Sequence, residues 1–290
     1  MLKNKKSNKK SLKKINEYIF KNIYLILPIC FLLLLLLLCC LIFSKNNNNN
    51  NFDYVSEKKK YLNDSNYLKT PSMSVCVPCY PRDTHKLKNL IKSINNQTVL
   101  PDLIIIGHSE FNDKQAKDLM NKYLNSKVKV KVVNTENKQF AAGNRNMAAY
   151  ANTNDYITFI DADDIMLPNR IEVLKLIIKK YKPYSILHNY TSDPNYKYNY
   201  NIKDVKLGKE MYKIGKADKD TIHLTSVAVH HAHITIHKNT FKNVKQNNKK
   251  KYFRMEDSKF VRDILEYYGK NNKTLIYINI PLTYYIPAIN

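Results

Sequence analysis

Short apolar runs alternate with stretches of helical spacing from residue 72 to about residue 183. Four runs are apolar or alternate with period two, which predicts strands at 72–77, 102–107, 128–133 and 156–160. Helices are predicted from Thr84, over 112–124, over 141–151 and from Pro168. Such alternation implies an α/β fold with a mostly parallel, doubly wound sheet. Beyond residue 183, β segments at 222–237 and 274–286 flank one helix at 257–268.

The longest apolar run, Ile23 to Phe43, has 21 residues and no charge. A helix rising about 1.5 Å per residue would span a hydrocarbon core of about 30 Å over that length. A cleaved signal peptide would have a shorter apolar run and a small-residue cleavage site, which does not follow here. We therefore expect a transmembrane anchor over 23–43, with the membrane as a partner. By the positive-inside rule, the Lys-rich residues 1–22 stay cytosolic, which predicts a type II protein with a lumenal or extracytoplasmic domain.

A polar segment separates this run from the predicted globular part. The Asn run at 46–51 and the polar residues after it predict a disordered stem over 44–71. Residues 72–290 then form the folded domain, which is long enough for one core. N-glycosylation sequons that fit lumenal exposure occur at Asn63, Asn96, Asn189 and Asn272.

The chain has a formal net charge of +24, part of which comes from eight Lys against Glu17 in residues 1–21. The rest is spread along the sequence without an arginine-rich stripe or a nucleic-acid motif. We therefore do not expect nucleic-acid binding. Cys76 and Cys79 form an isolated C-x-x-C with no second half, so no zinc site is predicted.

Three carboxylates, Asp161, Asp163 and Asp164, follow the predicted buried strand 156–160. They lie at the carboxyl end of a parallel strand, where open α/β sheets bind ligands. Because like charges repel, a divalent cation would stabilise this cluster. Asp161 and Asp163 face one side if the strand geometry continues, and their hard oxygen ligands suit Mg²⁺ or Mn²⁺. The alternative is an Asp-rich surface turn that caps the next helix.

Five segments together resemble, in order, the motifs of family 2 glycosyltransferases, which have the GT-A fold. They are SVCVPCYPRD (74–83), AAGNRNMAA (141–149), FIDADDIMLPNRIEVL (159–174), RMEDSKFVRDIL (254–265) and IPLTYYI (280–286). The likeness covers roughly residues 72–287. It implies a nucleotide-diphospho-sugar transferase fold, a nucleotide-sugar donor and a divalent metal.

The resemblance also implies roles for individual residues. Pro78 and Tyr80 would lie near the nucleotide base. Arg145 and Asn146, which match the A-x-A-R-N-x-G segment, would bind the donor together with Asp161. Asp161 and Asp163 would bind the metal. The family usually ends its second strand with V-D-D-x-S, whereas this chain has IIIGHSEFND (104–113). Glu110 or Asp113 is the candidate replacement for the uridine-contacting carboxylate. The Q-x-x-R-W motif of processive synthases is absent, which favours transfer of single sugars.

The mechanism implied by the resemblance is inverting transfer to an acceptor hydroxyl that is not identified, on a glycan, a protein or a lipid. Asp257 matches the general base, Glu256 would contact the acceptor, and the metal would neutralise the departing diphosphate. Without the resemblance, both carboxylates could simply offset the dipole of a helix that begins there.

Some interpretations stay open. One of five histidines in a polar β segment could complete the metal shell or meet the acceptor, the candidates being His223, His230, His231, His233 and His237. Two further functions compete with sugar transfer. One is a metal-dependent nucleotidyl- or phosphotransferase on a similar sheet. The other is a non-catalytic membrane protein that keeps the fold for binding.

Overall fold

The computed structural model describes Leu34 and residues 53–64, 66–193, 195–196, 233–246, 249, 256–271, 273 and 275–287. The chain divides into two units, Met1–Asn50 and Asn51–Asn290. All helices and strands named here belong to the second unit.

The described part of the second unit contains a single eight-stranded sheet with the order β3-β2-β1-β4-β7-β6-β8-β5. The strands are β1 (Met73–Cys79), β2 (Leu103–Ser109), β3 (Val130–Thr135), β4 (Tyr156–Phe159), β5 (Ile165–Met166), β6 (Ser185–Thr191), β7 (Ile234–His237) and β8 (Leu275–Tyr284). β1 is parallel to β2 and β4, and β2 is parallel to β3. β7 is antiparallel to β4 and β6, β8 is parallel to β6, and β5 is antiparallel to β8. Six strands thus run in one direction, and we call the edge where they end the carboxyl edge.

Helices cover both faces of this sheet. They are α1 (Tyr54–Asn63), α2 (Leu87–Asn95), α3 (Asp113–Lys122), α4 (Ala141–Tyr150), α5 (Arg170–Tyr181), α6 (Lys238–Asn243) and α7 (Glu256–Asn271). One apolar cluster contains buried residues of α2, α3 and α5, and a second contains those of α4, α6 and α7. Successive residues of β1 alternate between the two clusters, with Val75 and Val77 in the first and Cys76 in the second. The predicted α/β architecture is confirmed, with a mixed sheet.

The buried faces of the helices follow the sequence pattern. In α2 the four apolar positions at helical spacing, Leu87, Leu90, Ile91 and Ile94, are all buried. The position of Thr84 predicted that it caps this helix, but the residue at the cap position is Lys86 and no side chain caps the helix. A 3₁₀ turn (Pro81–Asp83) comes first, and the Thr84 hydroxyl lies 3.1 Å from the Tyr80 carbonyl, to which it can donate. α3 begins with a capping box in which Asn112 and Gln115 bond each other's backbone.

The predicted stem over 44–71 contains a helix in its described part, which corrects the expectation of disorder there. Asp53 caps α1 by accepting hydrogen bonds from two backbone N–H groups. The buried Tyr54 hydroxyl donates to Glu172 of α5 at 2.7 Å, and the Lys58 ammonium lies 3.1 Å from the same carboxylate. A Lys-rich helix of this kind has almost no apolar stripe. It docks through the buried Tyr54 and Glu57 and through Tyr61, which packs on the first apolar cluster, and Glu57 lies 3.5 Å from the Lys180 ammonium of α5.

The expected membrane topology is corrected. In the described part of the chain, none of the helices is both long and apolar enough to cross a membrane. The longest of them, α7, has 16 residues and carries polar residues along its length, whereas a spanning helix needs about 20 apolar residues. Single-pass type II placement is therefore not supported. Residues 23–43, on which it was based, lie outside the described residues except for Leu34.

Helix α4 packs so closely on β2 that residue 107 has room for glycine alone. A Cβ atom placed on Gly107 would lie 2.0 Å from the Asn144 carbonyl oxygen and 2.9 Å from its carbonyl carbon. Both are backbone atoms of α4, so the clash could be relieved only by moving the helix. Gly107 therefore sets the distance between α4 and the sheet at the carboxyl edge.

We predict that Gly107→Ala destabilises the domain by about 1–3 kcal/mol, the usual cost of overpacking a core. Urea unfolding followed by circular dichroism should show a lower midpoint. The control is Leu124→Ala, at a side chain that is 75% exposed, which should change the free energy of unfolding by less than about 0.5 kcal/mol. A Gly107→Ala variant that unfolds at the parental midpoint would contradict the close packing of α4 on β2.

Candidate active site

Residues 161–164, here called the acidic loop, lie in the connection between β4 and β5 at the carboxyl edge. The Asp164 N–H bonds the Asp161 carbonyl at 3.2 Å and closes the turn. Asp164 is buried, and its carboxylate accepts from the Ile286 N–H at 3.2 Å. The side chains of Asp161 and Asp163 are 18% and 37% exposed. The loop thus presents two carboxylates outward and uses the third in its own structure.

Arg145 of α4 pairs with the first of these carboxylates. Its guanidinium is buried and lies 2.8 Å from Asp161 Oδ1, and it donates to the Gln246 side chain at 3.3 Å. Asn146 exchanges two hydrogen bonds with the Gln246 backbone, of 2.8 and 3.1 Å. Asn146 therefore holds the segment that orients Arg145. The sequence offers no signal for Gln246, which is 101 positions from Arg145.

A lysine that the sequence did not single out pairs with the second carboxylate. The Lys86 ammonium lies 3.3 Å from Asp163 and 2.8 Å from Asp83. The pKa of Lys86 is raised, first by the hydrogen bond to Asp83, with burial opposing and the charge of Asp163 adding. Lys86 thus links the loop after β1 to the acidic loop.

The acidic loop fits a divalent cation that is shared with a phosphate ligand. Among the described residues, no group of three or more His, Cys, Asp or Glu side chains is gathered in a way that could hold a metal ion alone. Asp161 and Asp163 supply two partly exposed hard oxygen ligands. Mg²⁺ is typically held in this way, by one or two carboxylates together with substrate phosphates and water.

Tyr80 follows β1 and lies among charged side chains from several elements. Burial raises its pKa to about 12, Arg145 and Arg82 oppose this shift, and Glu256 and Asp161 add to it. The Arg82 guanidinium lies 5.5 Å from the centre of the Tyr80 ring. Pro78, in contrast, is buried within β1, where it pairs with Gly107. Of the two residues expected near a base, only Tyr80 has exposed surface.

Glu110 and Asp113, the two candidate carboxylates that follow β2, differ in exposure and in hydrogen bonding. Glu110 is exposed and has φ 55°, a region that non-glycine residues rarely adopt and that is enriched at functional sites. Asp113, in contrast, accepts from the Asn134 amide at 3.0 Å at the start of α3. His108 is buried, stacks on Phe111 at 3.7 Å and lies 2.9 Å from the Thr84 hydroxyl. Glu110 is therefore the better candidate for contact with a ligand.

Asn144 joins the ends of β1 and β2 beneath these residues. Its fully buried amide donates to the Cys79 carbonyl at 2.8 Å and to the Ser109 hydroxyl at 3.1 Å.

Cys79 and Cys76 are free and buried, and burial raises the pKa of the Cys79 thiol to about 12. Both cysteines lie in the apolar clusters, Cys79 in the first and Cys76 in the second.

Helix α7 begins at the site with Glu256. Within the described part of the chain, the Glu256 Oε2 atom is buried without a hydrogen-bond partner. The charge of Glu256 contributes to the raised pKa of Tyr80, so the two side chains lie near each other. Asp257 is the second residue of α7, and its side chain lies outside what the structure describes.

The family model described as Glycosyl transferase family 2 matches residues 74–252, more than half of the chain. The chain belongs to glycosyl transferase family 2. This confirms the family that the five segments predicted. An uncharacterized glycosyltransferase of Methanocaldococcus jannaschii is 32% identical over 102 residues. That match covers 35% of each protein, so the chain spans about a third of this relative.

Solved structures of TarS from S. aureus share the fold. TarS 1-349 in complex with UDP-GlcNAc gives a TM-score of 0.54 at 15% identity, over 76% of this chain and 59% of that one. TarS 1-349 without that ligand gives 0.51 at 14% identity, over 73% and 59%. This chain therefore spans less than two thirds of those structures. At such identity the likeness concerns the fold alone, and it confirms the GT-A type of mixed α/β sheet.

Of the five candidate histidines, the structure describes His233 and His237, which lie at opposite edges of the sheet. His233 precedes β7 at the carboxyl edge, where it is buried and stacks on Tyr190 at 4.7 Å. His237 pairs with Tyr156, the first residue of β4, and so lies at the opposite edge. His223, His230 and His231 lie outside the described residues.

Tyr285 was not predicted, although it lies close to the acidic loop. Burial raises its pKa, and the charges of Asp164, Asp163 and Asp161 raise it further. Its ring packs edge-on against Tyr190 at 5.6 Å. The segment 280–286 is one of the five that resemble the family. The sequence did not indicate that its last residues lie next to residues 161–164, which the fold shows.

Proposed function

We propose that this protein transfers single sugars from a nucleotide-sugar donor to an acceptor hydroxyl, with inversion and with a divalent metal. The observation that carries the proposal is the convergence of three features at the carboxyl edge. They are the outward carboxylates of Asp161 and Asp163, the buried guanidinium of Arg145, and the start of α7 at Glu256. Family membership favours this function over phosphotransfer and over a purely binding role.

The donor would bind across the ends of β1, β2 and β4. Tyr80 and Glu110 would contact the nucleoside, with Tyr80 offering a half-buried ring and Glu110 a carboxylate that can accept from a base N–H. Arg145 and Lys86 place positive charge beside the acidic loop, where a diphosphate would lie. The TarS complex contains UDP-GlcNAc, which makes uridine diphosphate sugars the first donors to test.

Asp161 and Asp163 would hold Mg²⁺ or Mn²⁺, and the cation would supply positive charge to neutralise the departing diphosphate. A cation on Asp163 would replace the 3.3 Å contact of this carboxylate with Lys86, which would keep its 2.8 Å pair with Asp83. Arg145 is fixed by Gln246 and would keep Asp161 in place. The metal site and the donor site therefore share side chains.

Asp257 is proposed as the general base. Its carboxylate would take the acceptor hydroxyl proton as that oxygen bonds the anomeric carbon. The bond from this carbon to the diphosphate oxygen breaks on the opposite face, and the electron pair leaves with the diphosphate. Glu256, beside Asp257 and near Tyr80, would orient the acceptor.

A donor-hydrolysis screen tests this function. The purified chain is incubated with Mn²⁺ and individual nucleotide sugars, and the released nucleotide is identified by chromatography. Release of a nucleoside diphosphate from one or a few donors, abolished by EDTA, is the expected result. Release of nucleoside monophosphate would instead identify a phosphotransferase. Absence of both binding and turnover of every donor would contradict catalysis.

We predict that Asp163→Ala weakens metal-dependent donor binding by about 100-fold or more, since even outer-shell changes cost 10–100-fold in metal affinity. Because the side chain is partly exposed, the free energy of unfolding should change by less than about 0.5 kcal/mol. Isothermal titration calorimetry with UDP-GlcNAc and Mn²⁺ measures the first quantity. Asp118→Ala, an exposed carboxylate on α3, is the control and should bind as the parent does. Parental binding by Asp163→Ala would refute the metal assignment.

We predict that Asp257→Asn lowers kcat by about 100-fold or more, the usual scale for loss of a positioned base. Donor affinity should stay nearly unchanged, because a base acts in the chemical step. The matched control is Asp263→Asn on the same helix, where the carboxylate pairs with Lys259. It should keep the parental kcat. If Asp257→Asn turns over near the parental rate, Asp257 is not the base and only offsets the helix dipole.

A further inference from the structure

Arg170, the first residue of α5, is a charged side chain with no exposed surface. None of the steps proposed above uses it. Because the Cα–Cβ bonds of a helix tilt toward its N-terminus, a side chain at this position reaches back toward the strands that precede the helix. Its guanidinium therefore enters the sheet beneath the acidic loop.

Three hydrogen bonds fix this guanidinium. It donates to the Thr158 hydroxyl and to the Phe159 carbonyl of β4, both at 2.7 Å, and to the Thr283 hydroxyl of β8 at 2.8 Å. The Thr235 hydroxyl of β7 donates to Thr158 at 2.9 Å. One side chain thus links β4 and β8 directly, and β7 through Thr158.

These contacts lie at both ends of the acidic loop. Phe159 is two residues before Asp161, and Thr283 pairs with Met166, two residues after Asp164. The charge of Asp164, within the loop, interacts with Arg170 as well. The guanidinium therefore restrains where the loop leaves β4, where it enters β5, and its buried carboxylate.

Stability alone does not account for a buried guanidinium at this place. Burial lowers the pKa of Arg170 to about 9, with Asp164 opposing, so the surroundings disfavour the charge. Apolar residues of similar volume are often as stable as, or more stable than, a buried charged network. The guanidinium of Arg170 offers several N–H donors in a fixed plane. A role in holding the segments that it bonds therefore explains why arginine occupies this position.

We propose that Arg170 is a positioning residue that holds both ends of the acidic loop, so that Asp161 and Asp163 keep the spacing needed to bind a divalent cation with a diphosphate. The inference rests on the proposed function of these two carboxylates. It adds a residue that touches neither metal nor donor and acts through the backbone of residues 159–166.

The test measures Mn²⁺ binding to the full chain in the presence of UDP, by electron paramagnetic resonance of free Mn²⁺, and needs no turnover. Arg170→Met should raise the Kd for Mn²⁺ by about 10- to 100-fold, the scale for groups that orient metal ligands. Arg170→Lys keeps the charge but has no planar fork, so its Kd should lie between parent and Arg170→Met.

Lys175→Met is the matched control on the same helix. Lys175 is also buried, and its ammonium bonds the Leu68 carbonyl at 3.1 Å and Asp102 at 3.0 Å, at the opposite edge of the sheet. This variant should lose stability yet keep the parental Kd within about twofold, because distant sites act independently. If Arg170→Met does not fold, Thr283→Val removes one acceptor at nearly constant shape and should raise the Kd about tenfold.

The outcomes separate the two proposals. If Arg170→Met folds and binds Mn²⁺ with parental affinity, the proposed role of Arg170 is wrong and the metal site is unaffected. The same conclusion follows from Thr283→Val if that variant has to be used instead. An equal rise in Kd for Lys175→Met overturns it as well, because general destabilisation would then explain the effect. A parental chain that does not bind Mn²⁺ with UDP overturns the metal site and this inference together.

Discussion

Two buried guanidinium groups hold the acidic loop, and they reach it from opposite faces of the sheet. Arg145 belongs to α4 and contacts Asp161 at 2.8 Å, whereas Arg170 belongs to α5 and contacts the Phe159 carbonyl at 2.7 Å. A buried charge is costly unless partners surround it, so each arginine fixes the groups around it. The site therefore depends on helices packed on both faces. The close approach of α4 at Gly107 is part of the same constraint.

The sequence predicted the first half of the fold well, because the pattern there is local. The strands at 72–77 and 156–160 are buried β structure at Met73–Cys79 and Tyr156–Phe159, since continuous apolar runs mark strands that are covered on both faces. The second half depends on pairing between distant segments. β6 carries His188 and Asn189, where its register shifts, and it is separated from β4 by the antiparallel β7. No periodicity encodes that order.

Site residues that are close together in the sequence could be predicted. Those that reach the site from distant parts of the chain could not. Asp161 and Asp163 stand out after a buried strand, whereas Lys86 and Gln246 are found only through contacts across 77 and 101 positions. Repulsion among three carboxylates indicated a metal. The structure supplies Arg145, Lys86 and Arg170 as cations near them, so charge balance alone does not require one. The case for a metal rests on the partial exposure of Asp161 and Asp163 and on the chemistry of the family.

Crystals grown with UDP and Mn²⁺, with anomalous diffraction recorded at the manganese edge, test this account most directly. The account predicts one manganese peak about 2.1 Å from oxygens of Asp161 and Asp163, with the diphosphate as a further ligand. It also predicts the uridine at the ends of β1 and β2, next to Tyr80. Manganese bound elsewhere, or a nucleotide at the opposite edge of the sheet, would contradict the assignment of the acidic loop as the centre of the active site.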